Sequence, residues 1–164
     1  MSVLEEYEAR SGSLVPVWRL EIHTRPDDAE RLLDAVVKVN PLTVGRYHRN
    51  ATVSAVGVET GRPGEDTVTR IHNTEFPTDG TEVYPAVELK ISFERDIAVL
   101  ETIMDAILYA HQYEEPTIYL REEWASRAAY DPNNDNPNRW WNDGRGTPDM
   151  VELVTAPSTN RKKR

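Results

Sequence analysis

Cysteine is absent from this sequence of 164 residues. Disulfide bonds, thiolate zinc sites and cysteine nucleophiles are therefore excluded, and the chain is compatible with a reducing compartment. Long apolar runs are absent as well, since no stretch approaches the roughly 20 residues that span a bilayer. The first ten residues contain three glutamates and no apolar core, which is not the pattern of a signal peptide. Together these absences predict a soluble, cytoplasmic protein without membrane contacts.

Positive charge is scarce, because 19 lysines and arginines stand against 28 aspartates and glutamates, for a net charge of -9. Nucleic acids and anionic membranes recruit proteins through a positive field. The charge balance therefore argues against either of them as a partner. The one clearly basic run, Arg161–Arg164, is more typical of a solvated tail than of a binding patch.

The motifs of several enzyme classes are missing too. The sequence has no P-loop, no dinucleotide-binding glycine motif, no zinc-protease HExxH motif and no serine-hydrolase elbow. The sequence has four histidines, His23, His48, His72 and His111. No two of them have the HxH or HxxxH spacing of a metal site. Because no catalytic constellation is visible, we expect a non-enzymatic protein.

The apolar residues that are present follow two periods. Alternating positions predict strands, and a spacing of three and four predicts helices with one apolar face. The order strand, helix, strand, strand, helix, strand predicts an α+β fold, a ferredoxin-like sandwich with two helices on one face of an antiparallel sheet. The predicted elements are Val15–His23, a helix over Thr24–Val39 with Thr24 as its cap, Leu42–Val58, Val83–Phe93, Glu94–Ala110 and Thr117–Leu120, with a short helix over Arg121–Arg127.

The two ends of the chain differ in composition from its middle. Residues 1–14 combine charge with serine and glycine and predict a flexible N-terminal arm, followed by the ferredoxin-like domain at 15–127. Residues 128–164 predict an irregular tail with a basic end. Trp140 and Trp141 are large apolar groups in this polar tail, so we expect them to dock on the domain or on a protein partner.

The stretch His111–Pro116 follows the most strongly periodic helix and contains an imidazole, a phenol and two carboxylates. His111 and Glu114 are therefore candidate ligands for a divalent metal ion such as zinc, copper or nickel. The alternative is structural: His111 and Tyr113 bond the backbone at the helix end, and Glu114 or Glu115 pairs with an arginine of a neighbouring subunit. The residues favour the structural interpretation and leave the metal site open.

The segment from Thr60 to Asp79 is predicted to be a loop, because glycines and prolines punctuate it and it has no steady apolar period. A connection of this length is usually either functional or mobile. Arg62, Arg70 and His72 are candidates to meet an anion at a subunit cleft, and a solvated loop is the alternative.

Three stretches of the chain together resemble a known family, and they are Gly45–Asn50, Gly61–Gly64 and Ala110–Pro116. The region from Trp18 to Trp124 is similar to the inserted domain of the Nif-three-like proteins, also called GTP cyclohydrolase I type 2 homologues. The motif that ends the second helix is also similar to that of the CutA proteins. The chain departs from the family pattern at two positions. Gln112 stands where the family has proline, and Thr60 stands where the family has an aromatic residue.

The resemblance implies a CutA/PII-like domain that assembles as a trimer and binds a small ligand, a divalent metal ion or a protein partner at subunit clefts. It implies no hydrolase activity, because nothing in this sequence corresponds to the family's dimetal catalytic domain. The alternative is a structural or assembly protein that uses the oligomeric domain and its tail as a building block. The expected ligand or interface residues are Tyr47, His48, Arg62, His111, Tyr113, Glu114 and Glu115.

Overall fold

A computed structural model of the chain describes residues 7–9, 11–68 and 81–129. The predictions on Arg70, His72, Trp140 and Trp141 lie outside the described residues. Within them, six strands form one sheet and two helices accompany it. The elements are β1 (Glu8–Ala9), β2 (Gly12–Thr24), α1 (Ala29–Val39), β3 (Ala51–Val53), β4 (Gly57–Gly61), β5 (Glu82–Glu94), α2 (Ile97–Ala110) and β6 (Ile118–Ala128).

Strands β2 and β5 form the centre of the sheet. They pair antiparallel with each other, β6 pairs antiparallel with β2, and β3 and β4 pair antiparallel with different stretches of β5. The short β1 pairs with the start of β2. The sheet is therefore antiparallel throughout its described part, and the predicted ferredoxin-like α+β fold is confirmed.

One face of the sheet forms the hydrophobic core with both helices. Alternate side chains of β2 and β5 point to this face, so a strand of mixed composition buries only its apolar half. Burying a large aliphatic side chain contributes about 1.5–3 kcal/mol, which makes this face the main source of stability. Its core residues are Leu20, Ile22, Leu32, Leu33, Val36, Leu42, Leu89, Ile91, Phe93, Ile103 and Ile107. The opposite face, which we call the open face, contains the polar half of the two strands, including Glu21 and His23 of β2.

Helix α2 begins with a side-chain cap at Asp96, whose carboxylate accepts hydrogen bonds from the backbone N–H groups of Ala98 and Val99 at 2.8 and 3.2 Å. Such a cap satisfies two of the backbone donors that the first turn of a helix leaves without partners. Helix α1 ends at Val39, directly before Asn40, as predicted. Neither described helix is long and apolar enough to cross a membrane.

The predicted start of α1 at Thr24 is wrong, because the helix begins at Ala29 with Asp28 at its N-cap position. Thr24 instead forms the end of β2, and its hydroxyl donates to the Asp28 carboxylate at 3.4 Å. Asp28 is buried and also accepts from Arg31 at 2.6 Å and from Gln112 at 3.1 Å. The carboxylate therefore links β2, α1 and the segment after α2.

The single bent strand predicted over residues 42–58 is also wrong. Residues 41–50 form a turn that begins after α1, and three of its residues have positive φ: Leu42, Gly45 and Arg49. The Arg49 guanidinium bonds Glu30 and Asp34 of α1, which holds the turn against the helix. The extended segments that follow are the separate strands β3 and β4.

The N-terminal arm and the last helix require correction as well. Residues 8–9 and 12–14 belong to β1 and β2, and residues 121–127 continue β6 as a strand. Gly12 lies so close to the Arg127 carbonyl oxygen that a Cβ atom would clash there. Backbone pairing between β2 and β6 therefore orders both segments, although neither has the apolar period that sequence patterns detect.

Candidate functional site

The helix-to-strand corner, which comprises residues 111–117, connects α2 to β6. His111 ends the helix with an extended backbone, and its N–H bonds the Ile107 carbonyl at 2.8 Å. At the other end of the corner, the Thr117 carbonyl accepts from the backbone N–H of His23 at 3.0 Å. The corner is thus fixed both to its own helix and to the central strand β2.

His111 has hydrogen bonds at both ring nitrogens. Its Nε2–H donates to the His23 carbonyl oxygen at 3.0 Å, and its Nδ1 accepts from the backbone N–H of Tyr113 at 3.0 Å. This pattern requires the neutral ring, and burial lowers the pKa of His111 below its ordinary value of 6.5. No lone pair is left for a cation, so the predicted metal pair of His111 and Glu114 does not fit this geometry. The contacts of His111 agree with the structural interpretation, in which the ring bonds backbone groups at the helix end.

Glu114 joins the corner to the segment that follows β4. One carboxylate oxygen accepts from the Thr67 hydroxyl at 2.8 Å, and the other accepts from the backbone N–H of Val68 at 3.0 Å. Both bonds lie within one chain, so this carboxylate has a role beyond the predicted contact with a neighbouring subunit. It holds residues 62–68 over the corner.

A cavity of about 690 Å³ lies between the corner, the segment after β4 and the start of β5. Pockets for small molecules commonly have volumes of about 300–1,000 Å³. The cavity is large enough to take a molecule of that class. Its walls are formed by Arg25, Gly61, Arg62, Pro63, Gly64, Asp66, Thr67, Glu82, Tyr84, Pro85, Gln112, Tyr113, Glu114 and Glu115.

Two tyrosine rings form the aromatic part of the cavity wall. Tyr84 and Tyr113 meet edge to face with 5.8 Å between ring centroids, and His111 packs against Tyr113 at 4.9 Å. Burial, with a smaller contribution from the Glu59 carboxylate, raises the pKa of Tyr113 to about 12. Burial also raises the pKa of Tyr84. Both phenols are therefore neutral at physiological pH, and each can donate or accept a hydrogen bond.

The charged groups of the cavity wall are mostly acidic. Of its two arginines, Arg25 is paired with the Asp27 carboxylate through two 3.0 Å bonds, and Arg62 donates to the Thr81 hydroxyl at 3.4 Å. The four carboxylates of the wall belong to Asp66, Glu82, Glu114 and Glu115. This balance disfavours a polyphosphate, and it favours a ligand that presents hydrogen-bond donors or a positive charge.

The structure brings together four of the seven predicted ligand or interface residues, since Arg62, Tyr113, Glu114 and Glu115 all line the cavity. His111 lies behind Tyr113 and supports its ring. Tyr47 and His48 are elsewhere, on the turn after α1, where Tyr47 is 68% exposed and His48 bonds the Thr43 hydroxyl at 2.9 Å. Their separation from the cavity follows from the turn's attachment to α1 through Arg49.

Sequence patterns did not identify several residues of the cavity wall. Tyr84 falls at one of the alternate polar positions of the predicted strand Val83–Phe93, Arg25 falls in the predicted helix Thr24–Val39, and Gln112 stands out only as a replacement for proline. The tyrosine gave one usable signal, because a large aromatic residue on the polar side of a strand requires another apolar neighbour. That neighbour is Tyr113, and its identity depends on the long-range position of the corner.

No protein-family model and no curated protein sequence matches this chain. Solved structures do resemble it. The protein related to NIF3 from Bacillus cereus is 16% identical over 69% of this chain, with a TM-score of 0.52. The match covers 27% of that protein, so this chain spans a minor part of its length.

Two smaller solved proteins are similar over most of their own length. The divalent ion tolerance protein CutA1 from Ehrlichia chaffeensis is 15% identical, with 84% of this chain and 99% of that chain covered and a TM-score of 0.44. GlnK from B. subtilis, in its ATP complex, is 15% identical, with coverages of 66% and 83% and a TM-score of 0.42. At these identities the likeness concerns the fold alone. The predicted resemblance to the Nif-three-like proteins is confirmed, at the level of the fold, by the match to the protein related to NIF3.

Proposed function

We propose that this domain is a non-enzymatic binding module whose cavity takes a small organic ligand. In this proposal the chain acts as a homo-oligomer, a trimer by the family resemblance, and the cavity forms part of a cleft between subunits. The observation that supports it best is the cavity of about 690 Å³ between the helix-to-strand corner and the segment held by Glu114.

The walls of the cavity suggest the chemistry of the ligand. A flat ring fits beside Tyr84 and Tyr113, because aromatic faces and edges attract one another by about 0.5–1.5 kcal/mol. Ammonium or other donor groups suit the acidic side of the cavity, where Glu82 and Glu115 form no ion pair with the described residues. The proposed ligand is therefore an aromatic amine or another donor-rich, ring-containing molecule.

Exposed apolar side chains support the oligomeric part of the proposal. Val53 on β3, Val56 in the connection to β4 and Val58 on β4 are 50%, 63% and 74% exposed. Contiguous exposed apolar groups are typical of surfaces that contact another protein. The same residues also suit the alternative, an assembly protein that associates through this domain and does not need the cavity.

The ligand proposal is tested with two molecules that share one ring system and differ in charge, tryptamine and indole-3-acetate. NMR titration of the ¹⁵N-labelled chain follows the backbone signals of Gln112 and Tyr113. We expect tryptamine to shift these signals in a saturable manner and indole-3-acetate to do so at least about tenfold more weakly, which corresponds to about 1.4 kcal/mol. Equal or absent shifts would contradict the proposed chemistry.

Variants of the cavity wall localise the binding. Tyr113→Ala removes one aromatic wall, and Glu82→Gln with Glu115→Gln removes two charges without changing side-chain volume. Both should weaken tryptamine binding, whereas Tyr109→Ala should not, because Tyr109 is 95% exposed on α2 outside the cavity. If the Tyr109 control loses as much affinity as the cavity variants, the binding is not in the cavity.

Sedimentation equilibrium separates the two parts of the proposal. We expect an oligomer with a mass of three chains, and Val58→Asp should dissociate it by placing a charge among the exposed valines. A monomer at all concentrations would contradict both the trimer and the assembly alternative. An oligomer that binds neither indole compound would favour the assembly alternative.

A further inference from the structure

A second group of polar side chains lies on the open face of the sheet, outside the cavity. Glu21 and His23 are two residues apart on β2, so their side chains point to the same face. Glu88 on β5 is paired directly opposite His23 in the antiparallel register. Strand pairing therefore places one imidazole between two carboxylates on a rigid part of the fold.

The distances within this group suit a shared cation. One ligand atom from each of Glu21, His23 and Glu88 lies within 4.8 Å of the other two. His23 Nε2 is 3.7 Å from the nearer Glu21 oxygen. Two ligand atoms bound to one zinc ion at about 2.1 Å lie roughly 3.4 Å apart in a tetrahedral site. A small movement of these side chains is sufficient to bring them into coordination distance.

His23, unlike His111, has a ring nitrogen that is not used in a hydrogen bond with any described residue and can bind a metal ion. Its Nε2 is buried and has no hydrogen-bond partner among the described residues. A buried polar atom without a partner is energetically unfavourable, so the fold maintains this nitrogen against a free-energy penalty. This orphaned nitrogen is the second observation, besides the carboxylates, that points to a ligand.

The surroundings of His23 also match those of a metal-bound histidine. Its other nitrogen, Nδ1, lies 3.6 Å from a carboxylate oxygen of Glu59 on β4, and the Tyr119 ring packs edge to face at 5.6 Å between centroids. Histidines that bind metals usually direct the second ring nitrogen toward a carboxylate or carbonyl, which orients the ring and makes it a stronger donor. Glu59 is in position for that role.

Lys90 and Arg121 are the cations that face this group. Lys90 Nζ lies 2.6 Å from Glu88 and 3.3 Å from one oxygen of Glu21, and Arg121 lies 3.8 Å from the other Glu21 oxygen. Three carboxylates therefore face two cations, and the ammonium shows that this place already attracts positive charge. A metal ion has to compete with Lys90 for these oxygens.

We propose that Glu21, His23 and Glu88 form a binding site for a divalent transition-metal ion of the zinc class, with Glu59 orienting the imidazole. One imidazole and two carboxylates suit zinc better than magnesium, which prefers oxygen ligands alone. Three protein ligands leave a coordination position for water or for a second molecule. This site goes beyond the ligand cavity and does not depend on it.

The test uses the full chain without an affinity tag, stripped with EDTA and then titrated with ZnCl₂ by calorimetry. We expect one zinc ion per chain. His23→Ala should lower the affinity at least about tenfold, as does loss of even an orienting partner in known sites. The matched control is His48→Ala, which removes an exposed histidine outside the group and should leave zinc affinity unchanged.

A second variant gives the opposite sign and does not depend on losing a ligand. Lys90→Met removes the competing ammonium and should raise zinc affinity several-fold, and titration with Co²⁺ should give a visible absorption band that His23→Ala abolishes. Circular dichroism checks that each variant folds. The proposal is overturned if the wild-type chain takes up no zinc, or if His23→Ala and His48→Ala bind it equally well.

Discussion

His111 and His23 are joined by a hydrogen bond, yet they belong to two different environments. His111, at the helix-to-strand corner, has both ring nitrogens bonded, whereas the Nε2 of His23 on the open face is buried without a partner among the described residues. The His111 ring is fully hydrogen-bonded, whereas His23 on the open face retains a buried ring nitrogen without a partner among the described residues; at the corner the buried Tyr113 hydroxyl also lacks one. Of the two histidines, His23 is the candidate for binding, because its hydrogen bonds are incomplete.

The largest effect should come from the core beneath the corner. Ile107 is fully buried, and its carbonyl accepts the N–H of His111. Ile107→Ala should lower the free energy of unfolding by about 2–5 kcal/mol, because it leaves a cavity in a packed core. Urea denaturation measures the change. The adjacent Leu108 is 51% exposed, so Leu108→Ala should cost less than about 1 kcal/mol, and equal losses would contradict the assigned faces of α2.

Replacing the two histidines in turn compares the regions directly. His111→Ala leaves the His23 carbonyl and the Tyr113 N–H without their partner and should cost about 1–3 kcal/mol. His23→Ala removes no hydrogen bond of Nε2 and should change stability by less than about 1 kcal/mol when EDTA is present. Urea denaturation of both variants in the same buffer is the measurement. If His23→Ala costs as much as His111→Ala, the contrast between the two environments is wrong.

The pH dependence of the free energy of unfolding should reveal the contribution of His111 at the corner. Burial lowers the pKa of His111 from 6.5 in the folded chain, so the unfolded chain binds more protons below that pH. Its contribution is therefore complete above about pH 6.5 and declines as the pH falls toward the lowered folded value. Unfolding free energies at pH 7.5 and 5.5 should differ less in His111→Gln than in the wild type. His48→Gln should retain the wild-type difference.

The smallest effect is expected for a half-buried ion pair of the open face. Arg19 and Glu123 lie 3.4 Å apart across β2 and β6, with about a third of each side chain exposed. Glu123→Gln should lower the free energy of unfolding by less than about 1 kcal/mol, and the difference should shrink in 1 M salt. Thermal unfolding at two salt concentrations measures it. A loss comparable to that of His111→Ala would show that the open face contributes more stability than its exposure implies.

Much of the fold was predictable because its signals are local. The alternation of Leu20 and Ile22 with Glu21 and His23 identifies a half-buried strand without any knowledge of its partners. The spacing along α2 identifies its buried face in the same way. Segments whose order depends on a distant partner were not predictable, as β1 and residues 121–127 show, because backbone pairing leaves little trace in side-chain type.

The candidate site likewise has some features with local sequence signals and others that depend on long-range contacts. Local sequence patterns are sufficient to predict that an imidazole, a phenol and two carboxylates lie at the end of a helix, and that Glu21 and His23 share one face of a strand. The tertiary structure alone decided that His111 reaches a carbonyl 88 residues away, and that His23 faces Glu88. The reason is physical: whether an imidazole is satisfied or available depends on the groups within about 3 Å of its nitrogens. For these two rings, Tyr113 and Glu21 are near neighbours in the sequence, whereas the His23 carbonyl and Glu88 are brought into place only by the tertiary structure.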